Sequence, residues 1–472
     1  MGDTLKYIND PIHGYMEFED WAIQFIDTPQ FQRLRDVKQL GVTYYVFPGA
    51  SHNRFEHSLG TGHLAYNLVK RIQQQPDLEP CETDLKCVTL AALCHDLGHG
   101  PYSHVFDNEV IPRLRPEVKW RHEDGSVMML NSIIDKENID IDKEDVKFIE
   151  ALITGESKGF NRSLYLFDIV ANKRNSVDVD KFDYIERDCY HLGMKSKFEF
   201  SRLMQFSRVI DDEIVYHHKE SFTVYELFHT RYSLHKRIYN HRVGKAINLM
   251  VTDALVEADP VFNIVNSIDD PEEYVKLSDS ILTRIEYSDD PRLAKSKEII
   301  KNIRYRKLYK FVDECLIPHQ VDIPENKLTP TEIVSHQSGS DLNDNDVIVE
   351  RLKMNYGKKD KNPVDNVKFY DQFYQNEAFN LSRSQVSYLV PEQYEEEIVR
   401  IFARDSSKIK QIQEAFRRFT KKLNMESSPS NEIINSRGYS IPDGYSPKKL
   451  KRHRTFTNST SSERASRVPR IL

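Results

Sequence analysis

The chain is short of the features that mark several whole classes of protein. Its 472 residues include only five cysteines, an odd and scattered set, which excludes a disulfide-framed secreted scaffold and predicts free thiols of a reducing compartment. No run of about 18 apolar residues occurs, so no membrane-spanning helix is expected. The first residues carry no signal peptide, and Lys6 stands where a myristoylation motif requires serine or threonine. No internal repeat is visible. Excess positive charge is missing as well: 66 Lys and Arg face 73 Asp and Glu, a net charge of −7. A polyanionic ligand would have to be met by a local basic pocket, because the field of the whole surface is screened beyond roughly 8 to 10 Å. What remains is ordinary globular material, 39% hydrophobic and 29% charged, long enough for two or three domains around a large core.

The most informative feature is His95-Asp96, at the end of the apolar run Cys87–Cys94 and before Leu97-Gly98-His99-Gly100. An imidazole and a carboxylate side by side where a buried helix opens into a glycine turn suit two ligands of one divalent metal. With 17 histidines, roughly one His-Asp dipeptide is expected by chance, so the surroundings must carry the case. His57 lies just before the helical stripe Leu64, Leu68 and Ile72, and Asp180 opens another helix. Two imidazoles and two carboxylates form a mixed donor set compatible with iron, manganese or zinc, with positions left for water and a phosphate oxygen. A second group follows: His99, His104 and His122, with Asp107 and Glu123 nearby. Phosphoester cleavage needs a proton for the departing oxygen, and His104, oriented by Asp107, is the candidate general acid.

Helical phase adds a separate argument, since four residues return nearly to the same face. Asp180, Tyr184 and Asp188 share one face of their helix. Arg231, His235 and Tyr239 do the same within a periodic segment read as one helix from about 224 to 255. A cation, an imidazole and a phenol in one row suit a triphosphate and sugar. Arg237 and His241 point roughly 200° away, toward another site or a partner chain.

The fold expected is mainly α: a helical core over residues 1–315 with little period-two alternation, a smaller α+β lobe over 316–425, and a disordered basic tail over 426–472. In the lobe, Val347–Val349, Val367–Tyr370 and Ile398–Phe402 read as strands and Ser406–Leu423 as a helix. Lys448 to Arg454 form a basic cluster of the nuclear-import type, with a cytoplasmic chain as the alternative.

Several longer motifs give these residues a context. Asn9 to Gly14, Ile26 to Arg35, Tyr44 to His57 and Cys94 to His104 resemble the HD-domain deoxynucleoside triphosphate (dNTP) triphosphohydrolases, most of all the eukaryotic group that also carries a sterile-alpha-motif domain. The similarity runs from about Lys6 to Lys310 and more weakly to about Asn424. The HD pattern begins within ten residues of Met1, so the sterile-alpha-motif domain is expected to be absent. The resemblance implies that His57, His95, Asp96 and Asp180 hold one transition metal, with magnesium arriving on the triphosphate. It implies that His104 is the general acid, tuned by Asp107 and His122, and that His99 and Arg54 contact the α-phosphate region. Lys181, Tyr184 and Arg231 would hold the outer phosphates, Gln39 and Asp188 the sugar 3′-hydroxyl, and Leu40 with Tyr239 would leave no room for a 2′-hydroxyl. The implied products are a deoxynucleoside and intact triphosphate.

Members of this family assemble from dimers into tetramers when guanine and deoxynucleotide activators bind between subunits. The positions implied for the GTP or dGTP site are Lys6, Asp27, Gln32, Arg35, Arg306 and Lys310. Those implied for a second, dNTP activator are Asn9, Val46, Arg208, Lys219, Arg237, His241 and Arg242. Two positions depart from the pattern: His217 replaces the usual arginine and Arg242 a lysine. Two rival functions are an HD-type phosphodiesterase and a single-stranded nucleic-acid-binding scaffold. The triphosphate-side residues argue against the first and the intact ligand set against the second; product identity and salt-dependent strand binding discriminate them.

Overall fold

The computed structural model describes residues 5–425, apart from 197, 340 and 424, and it is mainly helical with three small sheets. The expected tail and its basic cluster lie outside the described residues. All described residues fall within one compact unit.

The chain opens with an antiparallel hairpin, β1 (Lys6–Asp10) and β2 (Gly14–Phe18). Its turn is closed by the Asp10 carboxylate, which accepts from the Ile12 and His13 amides at 2.8 and 3.0 Å. The core follows in α1 (Arg54–Ile72), α2 (Glu82–Cys94), α3 (His122–Glu137), α4 (Lys143–Thr154) and α5 (Val179–His191). Helix α1 packs on both α2 and α5, and α2 on α4. The final eight residues of α2 are all buried, and the one hydroxyl among them, Thr89, donates to the Leu85 carbonyl at 2.7 Å. Helix α1 begins where Glu56 accepts from the Asn53 amide at 2.7 Å, and α5 where Asp178 accepts from the Lys181 amide at 3.2 Å. These starts place His57 and Asp180 in first turns, while His95 caps the end of α2.

The first 315 residues are mostly helical, as expected, but two hairpins interrupt them, the first of β1 and β2 and a second of β3 (Ser207–Ile210) and β4 (Glu213–His217). Its turn residues Asp211 and Asp212 have φ of 52° and 56°, the left-handed pair that a tight hairpin requires. All five residues of β4 are buried, so it has no polar face to produce the alternation that marks a strand. The single helix expected over 224–255 is also broken. Helix α6 (Ser221–Leu234) passes into a π-helical turn over His235–Tyr239, and α7 (Arg242–Phe262) starts afresh after an extended His241 at φ −60°, ψ 132°. Helix α8 (Ala294–Arg304) then packs along α7.

In the C-terminal part, β5 (Lys310–Ile317) and β6 (Val347–Asn355) flank β9 (Glu395–Ala403) in an antiparallel sheet, with β7 (Phe369–Asp371) and β8 (Tyr374–Phe379) elsewhere. Helix α9 (Ile409–Lys422) covers that sheet with Ile412, Ala415, Phe416 and Phe419. Strand β5 runs through the expected 315/316 boundary. Strand β7 pairs in parallel with β4, Tyr216 opposite Phe369 and His217 opposite Tyr370, which stitches the later segment to the helical core. Among the described residues, no helix is long and apolar enough to cross a membrane.

Candidate active site

Four side chains converge, His57 and Asp180 from the first turns of α1 and α5, and His95 and Asp96 from the end of α2 and the turn that follows it. His57 Nε2 lies 3.2 Å from Asp180 Oδ1 and 3.5 Å from Asp96 Oδ2. His95 Nε2 lies 3.4 Å from Asp96 Oδ1 and 3.5 Å from Asp180 Oδ1. The opposite ring nitrogens are already committed: His57 Nδ1 to Asp183 at 2.7 Å and His95 Nδ1 to the Ala92 carbonyl at 2.7 Å. That arrangement fixes both tautomers and turns both Nε2 atoms inward, as metal-ligating histidines require. His95 Nε2 is buried without a hydrogen-bond partner, and a metal fits there. Burial by itself would lower the His57 pKa, but contacts with Asp180 and Asp183 raise it to about 10. The cluster therefore draws positive charge. Cys94 is packing: it is fully buried, and burial pushes its thiol pKa up. All five cysteines are free.

Asp183 was not anticipated from sequence. It falls off the four-residue ladder of Asp180, Tyr184 and Asp188, and it matters only because remote residues meet it. Its neighbour across the helix pair is Gly60, where an added Cβ would sit 1.9 Å from Asp183 Oδ1. Glycine is what lets α1 and α5 approach closely enough for His57 to reach Asp183.

Beside the cluster lies a cavity of about 560 Å³, lined by His95, Asp96 and Asp180 and also by Gln39, Leu40, Arg54, His99, His104, His122, Tyr184, Asp188, Arg231, His235 and Tyr239. Its size is that of a small-molecule site. Asp180, Tyr184 and Asp188 line it in one row, as their spacing predicts. Arg231, His235 and Tyr239 all reach it too, despite the π-helical turn that ends their row. Asp188 is held from both sides, by His52 Nε2 at 2.6 Å and by the Tyr239 hydroxyl at 2.5 Å; His52 was also unforeseen. Burial and the Arg231 charge lower the His235 pKa to about 3, so this imidazole is neutral.

The second histidine group is built differently. Asp107 Oδ2 lies 3.1 Å from His122 Nδ1 and 3.4 Å from His104 Nδ1, and His122 stacks on His99 with centroids 3.9 Å apart. His104 is 64% exposed, so it can meet a bound molecule. Burial lowers the His99 pKa well below its ordinary value, with the Arg54 charge adding to the effect.

Two substrate assignments differ from expectation in detail. Arg54 lines the cavity but is committed inward, bonded to Asp96, to Ser103 Oγ at 2.9 Å and to the Gln39 carbonyl at 3.3 Å. Lys181 lines a separate cavity of about 220 Å³ that meets the first at His95, His122 and Asp180, and its ammonium pairs with Asp178 at 3.0 Å.

A model of the HD domain matches residues 54–188, a span that contains all four convergent side chains. Over 434 residues the chain is 49% identical to the deoxynucleoside triphosphate triphosphohydrolase SAMHD1 homolog of Dictyostelium discoideum, covering 92% of this chain and 84% of that protein. The chain belongs to the HD-domain dNTP triphosphohydrolases. The human family member SAMHD1 is 45% identical over 444 residues, 85% of this chain and 71% of its own length. A putative HD domain-containing protein of Acanthamoeba polyphaga mimivirus is 32% identical over 431 residues, 84% of this chain and 91% of its own.

The positions that the family resemblance links to activators are spread over the surface of the single chain. Lys6 pairs with Asp27 at 2.6 Å, and Arg35 donates to Gln32 at 2.8 Å. Arg306 donates to the Tyr45 carbonyl at 3.1 Å, and exposed Lys310 opens β5. In the second set, Asn9, Lys219 and Arg237 are exposed, and Val46 is half-buried. Arg208 reaches Gln375 and Asn376, His241 packs edge-on against Phe47, and Arg242 pairs with Glu314 at 2.5 Å. His217 is buried, its Nδ1 accepts from the Lys219 amide at 3.2 Å, and burial with the His218 and Lys219 charges lowers its pKa. It supplies no cation.

Proposed function

We propose that this protein hydrolyses dNTPs to a deoxynucleoside and intact triphosphate. One observation carries the reading: among the described residues, Gln39 Oε1, His95 Nε2 and His99 Nδ1 are buried without partners, and all three residues line the larger cavity beside the His57, His95, Asp96 and Asp180 cluster. Native proteins rarely leave buried polar atoms unpaired, and a nucleotide with a metal ion would satisfy them together.

In this reading the four-residue cluster holds one transition metal, iron, manganese or zinc, while magnesium accompanies the triphosphate. When bound, such an ion supplies Lewis-acid stabilisation of charge at the α-phosphate and a nucleophile at neutral pH. His104 gives its proton to the departing 5′-oxygen, with Asp107 and His122 orienting it. His99 faces the α-phosphate, and Arg54 contributes mainly by holding Asp96. Arg231 and Tyr184 grip the outer phosphates from the main cavity, Lys181 from the smaller one. Gln39 and Asp188 receive the sugar 3′-hydroxyl; Leu40 and Tyr239 close the space that a 2′-hydroxyl would need, with neutral His235 beside them.

Regulation is part of the same reading. GTP or dGTP would bind at Lys6, Asp27, Gln32, Arg35, Arg306 and Lys310, and a dNTP at the second set, drawing subunits into a tetramer. The neutral His217 weakens phosphate capture at that second site. The basic run Lys448 to Arg454 would direct the chain to the nucleus, which a fluorescent fusion with and without the run tests.

The deciding experiment incubates purified protein with dGTP, alone and mixed with other dNTPs, and identifies products by mass. Deoxynucleoside with triphosphate is expected. Pyrophosphate or monophosphate products, or no turnover with manganese and GTP present, would refute the reading.

A further inference from the structure

The ligand His57 is wired to the N-terminal hairpin by an unbroken chain of buried charged groups. Asp183 Oδ2 meets His57 Nδ1 at 2.7 Å. Arg187 donates to both oxygens of Asp183, each at 2.8 Å, and to both oxygens of Asp10, at 2.8 and 3.3 Å. Asp10 also closes the hairpin turn through the Ile12 and His13 amides, and His13 Nε2 returns to Asp183 Oδ1 at 2.7 Å. Arg187 is fully buried, and Asp183, Asp10 and His13 are at most 3% exposed at their side chains.

We propose that the hairpin β1–β2 and the ligand His57 form one coupled unit, with Asp183, Arg187 and Asp10 as positioning residues: filling the metal site tightens the hairpin, and loosening the hairpin weakens metal binding. The inference rests on the metal assignment above. Its physical basis is that no link can relax alone. Removing one partner leaves a buried charge unpaired, which is far costlier than losing an exposed pair. A two-stranded hairpin is at best marginal without support, and this one shows solvent Lys6, Asn9, Tyr7 and Tyr15, the two tyrosines 59% and 75% exposed. Its order depends on buried Met16 and Phe18 and on Asp10. Linkage makes the coupling reciprocal. Anything that grips Lys6 or Asn9 therefore acts on His57.

The test uses metal-stripped full-length protein and Mn2+ alone. In the native sequence, adding Mn2+ should slow hydrogen exchange of amides in residues 6–18 by about fivefold or more, while residues 401–416 stay unchanged. Asp10→Asn keeps an acceptor for the turn amides but removes the charge opposite Arg187, and should weaken Mn2+ binding by about tenfold or more. Exchange in 6–18 indifferent to Mn2+ overturns the proposal, as does an Asp10→Asn affinity within about threefold of native. If Asp10→Asn does not fold, the native exchange result decides alone. Asp180→Ala separates the two failures: if that variant loses Mn2+ while the hairpin of the native sequence stays indifferent to Mn2+, only the coupling fails, whereas Mn2+ retained by the variant defeats the ligand assignment and the coupling with it.

Discussion

Two histidine clusters sit side by side in this molecule, and both place at least three donor atoms within 4.8 Å of one another. One is His57, His95 and Asp96, with Asp180 beside them; the other is His99, His104, Asp107 and His122. What separates them is the far side of each ring. In the first, Nδ1 atoms are bound outward to Asp183 and to a carbonyl, so Nε2 atoms and carboxylate oxygens meet at one point. In the second, two Nδ1 atoms converge on a single oxygen of Asp107, and the carboxylate is consumed in orienting imidazoles. The first geometry suits a cation and the second a proton. Counting histidines cannot distinguish them; asking what each ring nitrogen already touches can.

The comparison breaks most readily at the metal. Asp180→Ala removes the carboxylate that lies beside both His57 and His95, and should abolish bound transition metal with turnover; full occupancy by elemental analysis would erase the distinction. Next comes the proton side: His104→Ala should retain nucleotide binding while lowering turnover by roughly two to four decades. Unchanged turnover would remove it from the mechanism.

A pH experiment sharpens the same contrast. Burial alone would lower the His122 pKa, but the hydrogen bond its ring donates to Asp107 leaves it raised. A raised histidine contributes stability below its unfolded value near 6.5 and loses it as pH rises through the folded value. Asp107→Asn should therefore cost more in Tm at pH 6 than at pH 9, and an equal loss at both would contradict the pairing. The smallest effect is expected at the sugar end. Gln39→Ala removes one neutral hydrogen bond, about 1 kcal/mol, or roughly fivefold in KM with kcat little changed.

Much of this site was legible in the sequence because its parts are local. A carboxylate beside an imidazole at a helix end, and the four-residue ladder from Asp180 to Asp188, need only helical phase. The unread parts are those made by tertiary contact. Asp183 is visible only once His13, His57 and Arg187 surround it, and His52 only once it touches Asp188. The inward commitment of Arg54 and the turning of Lys181 to a second cavity depend on Asp96 and Asp178 as immediate partners. The strands before residue 315 escaped because β1 and β2 are short and β4 is buried on both faces, leaving no alternation to detect.

The glycine at position 60 has no side chain to contribute, yet it sets the distance between two helices whose side chains His57, Asp180 and Asp183 meet. Mid-helix glycine normally weakens a helix by about 1 kcal/mol relative to alanine, and replacing such residues is a routine way to stiffen a protein. Here the extra methyl would land on Asp183 Oδ1 and against Arg187, so an engineer following that rule would separate the helices and disarm the enzyme while trying to strengthen it.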